Sequence, residues 1–468
     1  MLTRLEVDGF KNLLDFTCDF GPYTCIAGPN AVGKSNIFDA IEFLSLLADH
    51  TFMDAAQRLR STGTRGSDPR TLFWSPPPIE APRIKLAAEI IVSREVVDDF
   101  GRLVSPTTTF LRYELVLEYR PALSSTHSLG GIVLVSEDLR HITKKDAPQH
   151  LLWPNSESRF LNSVLQGRRA GTAFISTTAT EDGEQSVNVH QDGGSRGKPR
   201  TSPAARAPRT VVSTTTTADD PTVLAARREM QSWRMLALEP SAMRAPDSLM
   251  ESAQVASNGG HLAAALNRMA ASQGSDVFAK VAASASALTG IRKVGVDLDP
   301  ARELLTLGAA VGDGPMLPAR SMSDGTLRFL ALCIMGADDT VEGLICLEEP
   351  ENGIHPARMS AMQDLVSGLA VDADEAPGPG NPFRQVMVNT HSPQYVQYTD
   401  PGDLLLAMPT SVMREGRTCS TVRLVPLAGT WRAKAGGPSV SKQTIREYLT
   451  NPPDATLTLA SETKEIAV

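Results

Sequence analysis

Gly28-Pro29-Asn30-Ala31-Val32-Gly33-Lys34-Ser35 satisfies the phosphate-loop pattern GxxxxGK[ST] at every fixed position. Just before it, Tyr23-Thr24-Cys25-Ile26-Ala27 is a short run suited to a strand. Just after it, Ile37, Ile41 and Leu44 recur at helical spacing, with Phe38 and Phe43 widening the apolar face. Strand, glycine loop and helix in that order is the setting the motif needs. The glycines let the backbone curl so that successive N–H groups point at phosphate oxygens, and the helix start adds the positive end of its dipole. Asn30, Gly33, Lys34, Ser35 and Asn36 are the expected nucleotide contacts, with Lys34 reaching the β- and γ-phosphates and the Ser35 hydroxyl holding Mg²⁺. ATP and Mg²⁺ are therefore the expected cofactors.

Three later segments support this reading. Leu344-Ile345-Cys346-Leu347 is a continuous apolar run, as a buried parallel strand would be, and it ends in Glu348-Glu349-Pro350-Glu351. Carboxylates at the C-terminal end of such a strand lie where an open α/β sheet places ligands. Glu348 is assigned to the metal and Glu349 to the attacking water. Arg384-Gln385-Val386-Met387-Val388-Asn389-Thr390-His391-Ser392 is a second apolar strand ending in polar groups. A lone histidine in such a place is ordinarily structural. Its position one helix and one strand after Glu349 favours a γ-phosphate contact for His391. In Ser321-Met322-Ser323-Asp324-Gly325-Thr326-Leu327-Arg328, Ser323 suits a helix N-cap and Gly325 a close approach, while Leu327, Leu330 and Ala331 begin an apolar face. Alone, this would be an ordinary cap; the order of the four segments gives it meaning.

The rest of the chain sets limits. Its 468 residues allow several domains or one α/β body with insertions. A net charge of −8 argues against a chain coated in positive charge, though a local basic groove stays open through Arg58, Arg60, Arg65, Arg70, Arg168 and Arg169. Scattered arginines are more often a solvated face. Cys18, Cys25, Cys333, Cys346 and Cys419 form no CxxC pair or Cys/His cluster, so neither a disulfide framework nor zinc is expected. No apolar run approaches the ~20 residues of a membrane span, and Met-Leu-Thr-Arg-Leu-Glu-Val-Asp lacks the form of a secretory signal. A cytoplasmic protein without membrane contact is the expectation. The stretch 176–221, crowded with Thr, Ser, Gly, Pro and Ala, is expected to be a mobile surface insertion. Leu262, Leu266 and Met269, and then Val277 to Leu288, read as helices. Strands are expected at 84–92, 111–119, 293–298, 304–309, 404–407 and 421–425.

The order P-loop, Ser-Asp-Gly-Thr, Leu-Glu-Glu-Pro-Glu-Asn-Gly-Ile-His-Pro, Asn-Thr-His-Ser-Pro resembles the ABC-type ATPases of the RecF/SMC/OLD superfamily, and more narrowly bacterial AAA-type ATPases with OLD-like heads. Leu5 to Asn12, Met243-Arg244-Ala245-Pro246 and Asn258-Gly259-Gly260-His261-Leu262 share the resemblance, which covers roughly 1–120 and 230–410. It implies an α/β fold: a P-loop ABC-type ATPase head with a mixed-sheet lobe and a helical signature lobe. The corresponding division is 1–125 for the N-terminal part of the head and 126–230 for an insertion. It continues with 231–340 for the helical lobe, 341–410 for the C-terminal part of the head, and 411–468 for terminal strands and a helix. In such proteins two heads close around two ATP molecules, so Ser323 and Gly325 of one copy would meet the γ-phosphate held by the other. The signature reads Met-Ser-Asp-Gly-Thr rather than the transporter Leu-Ser-Gly-Gly-Gln, and Glu348 stands where many relatives have Asp. No long coiled-coil arm is present, and no Q-loop is assigned, Gln57 being a weak candidate. With 77 residues after His391, no typical Toprim nuclease domain of the OLD kind is expected.

The resemblance implies an ATP-hydrolysing, homodimeric or larger nucleotide-gated switch. Its expected setting is bacterial anti-phage defence, beside a separate nuclease or toxin effector. The alternatives are a RecF-like DNA repair or chromosome-maintenance ATPase touching nucleic acid, and a scaffold that ATP merely stabilises.

Overall fold

The computed structural model describes residues 1–59, 68–74, 81–121, 130–153, 159–167, 173–179, 183–192, 198–250 and 254–450. Arg60, Arg65, Arg168 and Arg169 lie outside the described residues.

The sheet that carries the phosphate loop has six strands, in the order Arg234–Leu236, Gly343–Glu348, Arg384–Thr390, Tyr23–Ala27, Leu404–Arg414 and Arg417–Pro426. The first five run parallel and the last pairs antiparallel. Tyr23–Ala27 and Arg384–Thr390 are buried along their whole length, as strands covered on both faces must be. Alternate residues of these strands serve two cores. Leu344, Cys346, Met387 and Leu405 pack with Ile37, Ile41 and Leu44 of the helix Lys34–Leu47. Ile345, Leu347, Val386, Val388 and Leu406 pack with Leu266, Val281 and Leu330 of the helices Leu262–Gln273, Asp276–Thr289 and Asp324–Gly336. These three helices, with a small sheet built on Ile291–Asp299 and Leu304–Val311, form the lobe that ends in the signature segment.

The second large sheet has eight antiparallel strands, in the order Arg200–Pro203, Gln185–Val189, Ile175–Ala179, Gly131–His141, Phe110–Arg120, Arg83–Ile91, Leu2–Asp8 and Phe16–Asp19. Gln385 ties the two sheets together. Its Nε2 donates to Leu2 O (2.7 Å) and Gly21 O (2.8 Å), and its Oε1 accepts from Leu2 N (2.8 Å). Every polar atom of this fully buried amide is paired, which is the condition for placing it in a core.

The mobile insertion expected at 176–221 is corrected. Its described residues supply three strands of the eight-stranded sheet and the short helix Val211–Thr214. Val187, Ala204, Val211 and Val212 enter the main core. Threonine and valine fit a pleated surface, and the polar groups are locally satisfied. Thr210 caps the Ser213 amide at 3.2 Å and donates to Leu47 O at 2.9 Å. Glu137, wholly buried, accepts from Val211 N (2.6 Å), Val212 N (2.9 Å) and Tyr113 Oη (3.1 Å). Desolvation raises its pKa to about 7 against the pull of those donors.

Cys18, Cys25, Cys333 and Cys346 are buried free thiols, and burial pushes Cys25 and Cys333 up to about 12. Among the described residues no helix is long and apolar enough to cross a membrane, and no group of three or more His, Cys, Asp or Glu side chains is arranged to hold a metal ion.

Candidate nucleotide site

The loop Gly28–Gly33 leaves the end of the central strand and turns into the helix Lys34–Leu47. Gly28 N still donates to Thr390 O of the neighbouring strand at 3.2 Å. Ala31 adopts φ +64° and Gly33 φ +111°, backbone that side chains with a Cβ rarely take. A Cβ on Gly33 would lie 2.5 Å from Asn12 Nδ2. Asn12 braces the loop from outside, donating to Val32 O (3.4 Å) and accepting from Asn36 Nδ2 (2.7 Å). Asn30 is exposed at the loop's tip.

The helix starts without a side-chain cap and without an acid in its first turn. Asn36 N donates to Gly33 O (3.1 Å), and the amides before it are left for an anion. Lys34 is 6 % exposed, and its Nζ donates to Gly28 O (2.7 Å) and Pro29 O (2.6 Å). Burial lowers its pKa to about 8, opposed by Glu349, Glu348 and Glu351.

The adjacent strands end in the polar groups expected from the sequence. Glu348, exposed, is in register with Asn389. Glu349 follows at φ +48°, with its N–H on Asn389 O (2.8 Å). Its carboxylate is held between His391 Nδ1 (2.7 Å) and Asn352 Nδ2 (2.7 Å). Strain of this kind, fixed by three contacts, is how active sites aim a side chain. Glu351 is buried against Thr390 Oγ1, and desolvation raises its pKa. Asn389 Nδ2 approaches Ser35 Oγ at 3.4 Å.

Two features test the fit of nucleotide and metal: the uncapped helix start, and the buried Asn389 Oδ1 without a hydrogen-bond partner. The first suits a phosphate; the second leaves an unused acceptor on the side chain that touches the Ser35 hydroxyl. Lys34 and the loop amides would hold phosphates; Ser35 and Glu348 would hold Mg²⁺, which neutralises phosphate charge.

The signature segment sits elsewhere in the chain. Ser323 caps Thr326 N (3.3 Å) and shares a hydrogen bond with Thr326 Oγ1 (2.8 Å). Gly325 lies against the turn after the Glu348 strand, where an added Cβ would meet Gly353 O at 2.5 Å. Arg328 donates to Asn352 O (3.0 Å), and Arg244 to Met322 O (3.0 Å) while pairing with Asp324. The structure brings Lys34, Ser35, Glu348, Glu349 and His391 to the ends of three neighbouring strands, and supports Ser323 and Gly325 on the helical lobe. Gln57 is exposed on the helix Phe52–Arg58. Sequence reading missed the bracing roles of Asn12, Asn389, Thr390, Glu351 and Arg244. All five stand inside or beside the segments that carried the resemblance, which was the available signal.

A parallel sheet with its phosphate loop at the central strand, flanked by a helical lobe, defines a P-loop ATPase head. The chain belongs to the family described as "AAA domain, putative AbiEii toxin, Type IV TA system", whose model matches residues 105–396. No curated protein matches it. Among solved structures it is similar to an Smc head bound to the C-winged helix domain of ScpA. That match has 14% identity and a TM-score of 0.44, and covers 91% of this chain and 98% of that one. It is also similar to an Smc head domain with an extended coiled coil, bound to the C-terminal domain of ScpA and derived from Pyrococcus furiosus (12%, 0.42, 91% and 96%). A third is the SMC head domain from Thermotoga maritima (12%, 0.34, 91% and 98%).

Proposed function

We propose that the protein binds and hydrolyses ATP at sites shared between two copies, and that the closed dimer is the signal a separate effector reads. The observation that carries this reading is the division of labour within one chain. Lys34, Ser35, Glu348, Glu349 and His391 converge at the sheet, while on the helical lobe Ser323 caps its own helix and Gly325 packs against Gly353 of the turn that follows the Glu348 strand. One chain thus carries two half-sites. In this reading Lys34 holds the γ-phosphate, Ser35 and Glu348 bind Mg²⁺, and Glu349 takes the proton of the attacking water. His391, already bonded to Glu349, senses whether the γ-phosphate is present. Ser323 and Gly325 of the other copy close the site. A cytoplasmic defence role fits the toxin–antitoxin description of the family.

The DNA-repair reading gains little support. Of the arginines considered for it, two are described: Arg58 is exposed at the end of the helix Phe52–Arg58, and Arg70 is tied to Asp68 (2.6 Å).

The test is molecular mass in solution with and without ATP and Mg²⁺, for the wild type and Glu349→Gln. A larger species that accumulates in the variant only with ATP, together with loss of turnover, supports the switch. A mass and a turnover both indifferent to Glu349 would leave the scaffold reading in its place.

A further inference from the structure

Asn389 is the buried polar residue to which the nucleotide reading gives no task. It is 4 % exposed, in the wholly buried strand Arg384–Thr390, between Glu348 on one neighbouring strand and Ile26 on the other. Its Nδ2 donates to Ser35 Oγ at 3.4 Å. Its Oδ1 is buried with no hydrogen-bond partner. A buried acceptor left unpaired loses its water without compensation, so its retention calls for a function in another state of the site.

The chemistry of Ser35 supplies that function. A hydroxyl that gives a lone pair to Mg²⁺ keeps its proton, which the cation makes more acidic and which needs an acceptor. Here Ser35 Oγ is instead engaged as an acceptor. Half a turn of the Asn389 amide about its Cβ–Cγ bond exchanges donor for acceptor at the same place. We propose that Asn389 is a positioning residue for the metal: with Mg²⁺ and nucleotide bound, it presents Oδ1 to the Ser35 hydroxyl and fixes that ligand's lone pair toward the cation. The proposal rests on the nucleotide reading above. Glu348 lies exposed beside it, in register on the neighbouring strand.

The experiment measures the affinity of a fluorescent ATP analogue for the full chain, in Mg²⁺ and in EDTA, for the wild type, Asn389→Leu and Asn389→Asp. Wild type and Asn389→Leu bind equally in EDTA, because the phosphate loop is untouched; the added carboxylate of Asn389→Asp weakens its binding there, so each chain's Mg²⁺ gain is taken against its own EDTA value. Mg²⁺ tightens binding to the wild type. The leucine variant loses about 10- to 100-fold of that gain, the usual effect of removing a partner that orients a metal ligand. The aspartate variant, which keeps an acceptor, retains it. An undiminished Mg²⁺ gain in Asn389→Leu overturns the proposal, and so does its loss in Asn389→Asp. If leucine disrupts the fold, seen as weaker binding in EDTA, the aspartate result decides. A wild type that binds no analogue in either condition overturns the nucleotide reading itself, and this proposal with it.

Discussion

Lys34 is held in a cage of its own loop's carbonyls, and that cage has a measurable proton linkage. Burial brings the ammonium down to about 8, whereas phosphate oxygens around it would favour the charged form and raise it again. ATP binding should therefore take up close to one proton at about pH 9 and little at about pH 7, and affinity should weaken as pH rises beyond about 8. Calorimetry in buffers of different ionisation enthalpy reads this directly; equal heats at pH 9 would refute it. Glu137 is shifted in the other direction, though its contribution is also lost as pH rises. Its folded pKa of about 7 lies above the ordinary 4.5, so the folded state holds the extra proton between those values and stability falls as pH rises through that window. Glu137→Gln should flatten the slope of melting temperature against pH there. Glu137→Leu, which strands the Val211 and Val212 amides, should cost about 1–3 kcal/mol per amide in denaturant melts. Residues with a motif around them, such as Lys34, Glu349 and His391, were legible in the sequence. Glu137 and Asn389 were not, because a buried polar group becomes conspicuous only once its partners, or their absence, are in place.

At the scale of elements, two glycines would separate nucleotide binding from the proposed closure. Gly33→Ala forces a Cβ into a left-handed turn and against Asn12. Its expected result is loss of nucleotide binding with destabilisation of about 1 kcal/mol or more, read by analogue fluorescence and thermal melting. Gly325→Ala presses instead on the backbone of Gly353 and leaves the phosphate loop alone. It should keep ATP affinity and lose turnover and nucleotide-dependent dimerisation; a variant that hydrolyses normally would show that the close contact is incidental. Most elements of the sheet and helical lobe were readable because apolar runs and 3.6-residue spacing carry them. The strands of 175–203 were not. Their Thr, Ser and Asn residues lower the apparent hydrophobicity, and pairing with Gly131–His141 supplies what composition lacks. Asn188, for example, donates to Thr178 Oγ1 and accepts from Thr201 Oγ1 across both neighbouring strands.

For the whole molecule, the division between sheet and helical lobe makes a prediction that concerns two chains at once. A symmetric dimer with shared sites pairs each phosphate loop with the other copy's signature. Lys34→Ala spoils the first half of a site and Ser323→Arg the second, so each variant alone should be inactive. Mixed in equal amounts, they form heterodimers in which one site combines the intact loop of the Ser323→Arg chain with the intact signature of the Lys34→Ala chain. The other site carries both defects. With random exchange, half of the dimers are mixed and each has one sound site, so about a quarter of wild-type turnover should return, with a maximum at equal proportions. Sites contained within single chains would stay silent at every ratio, since no mixture repairs them. Recovery would also locate the signal: the intact half-sites lie on different chains, so ATP would report their apposition rather than the occupancy of either one.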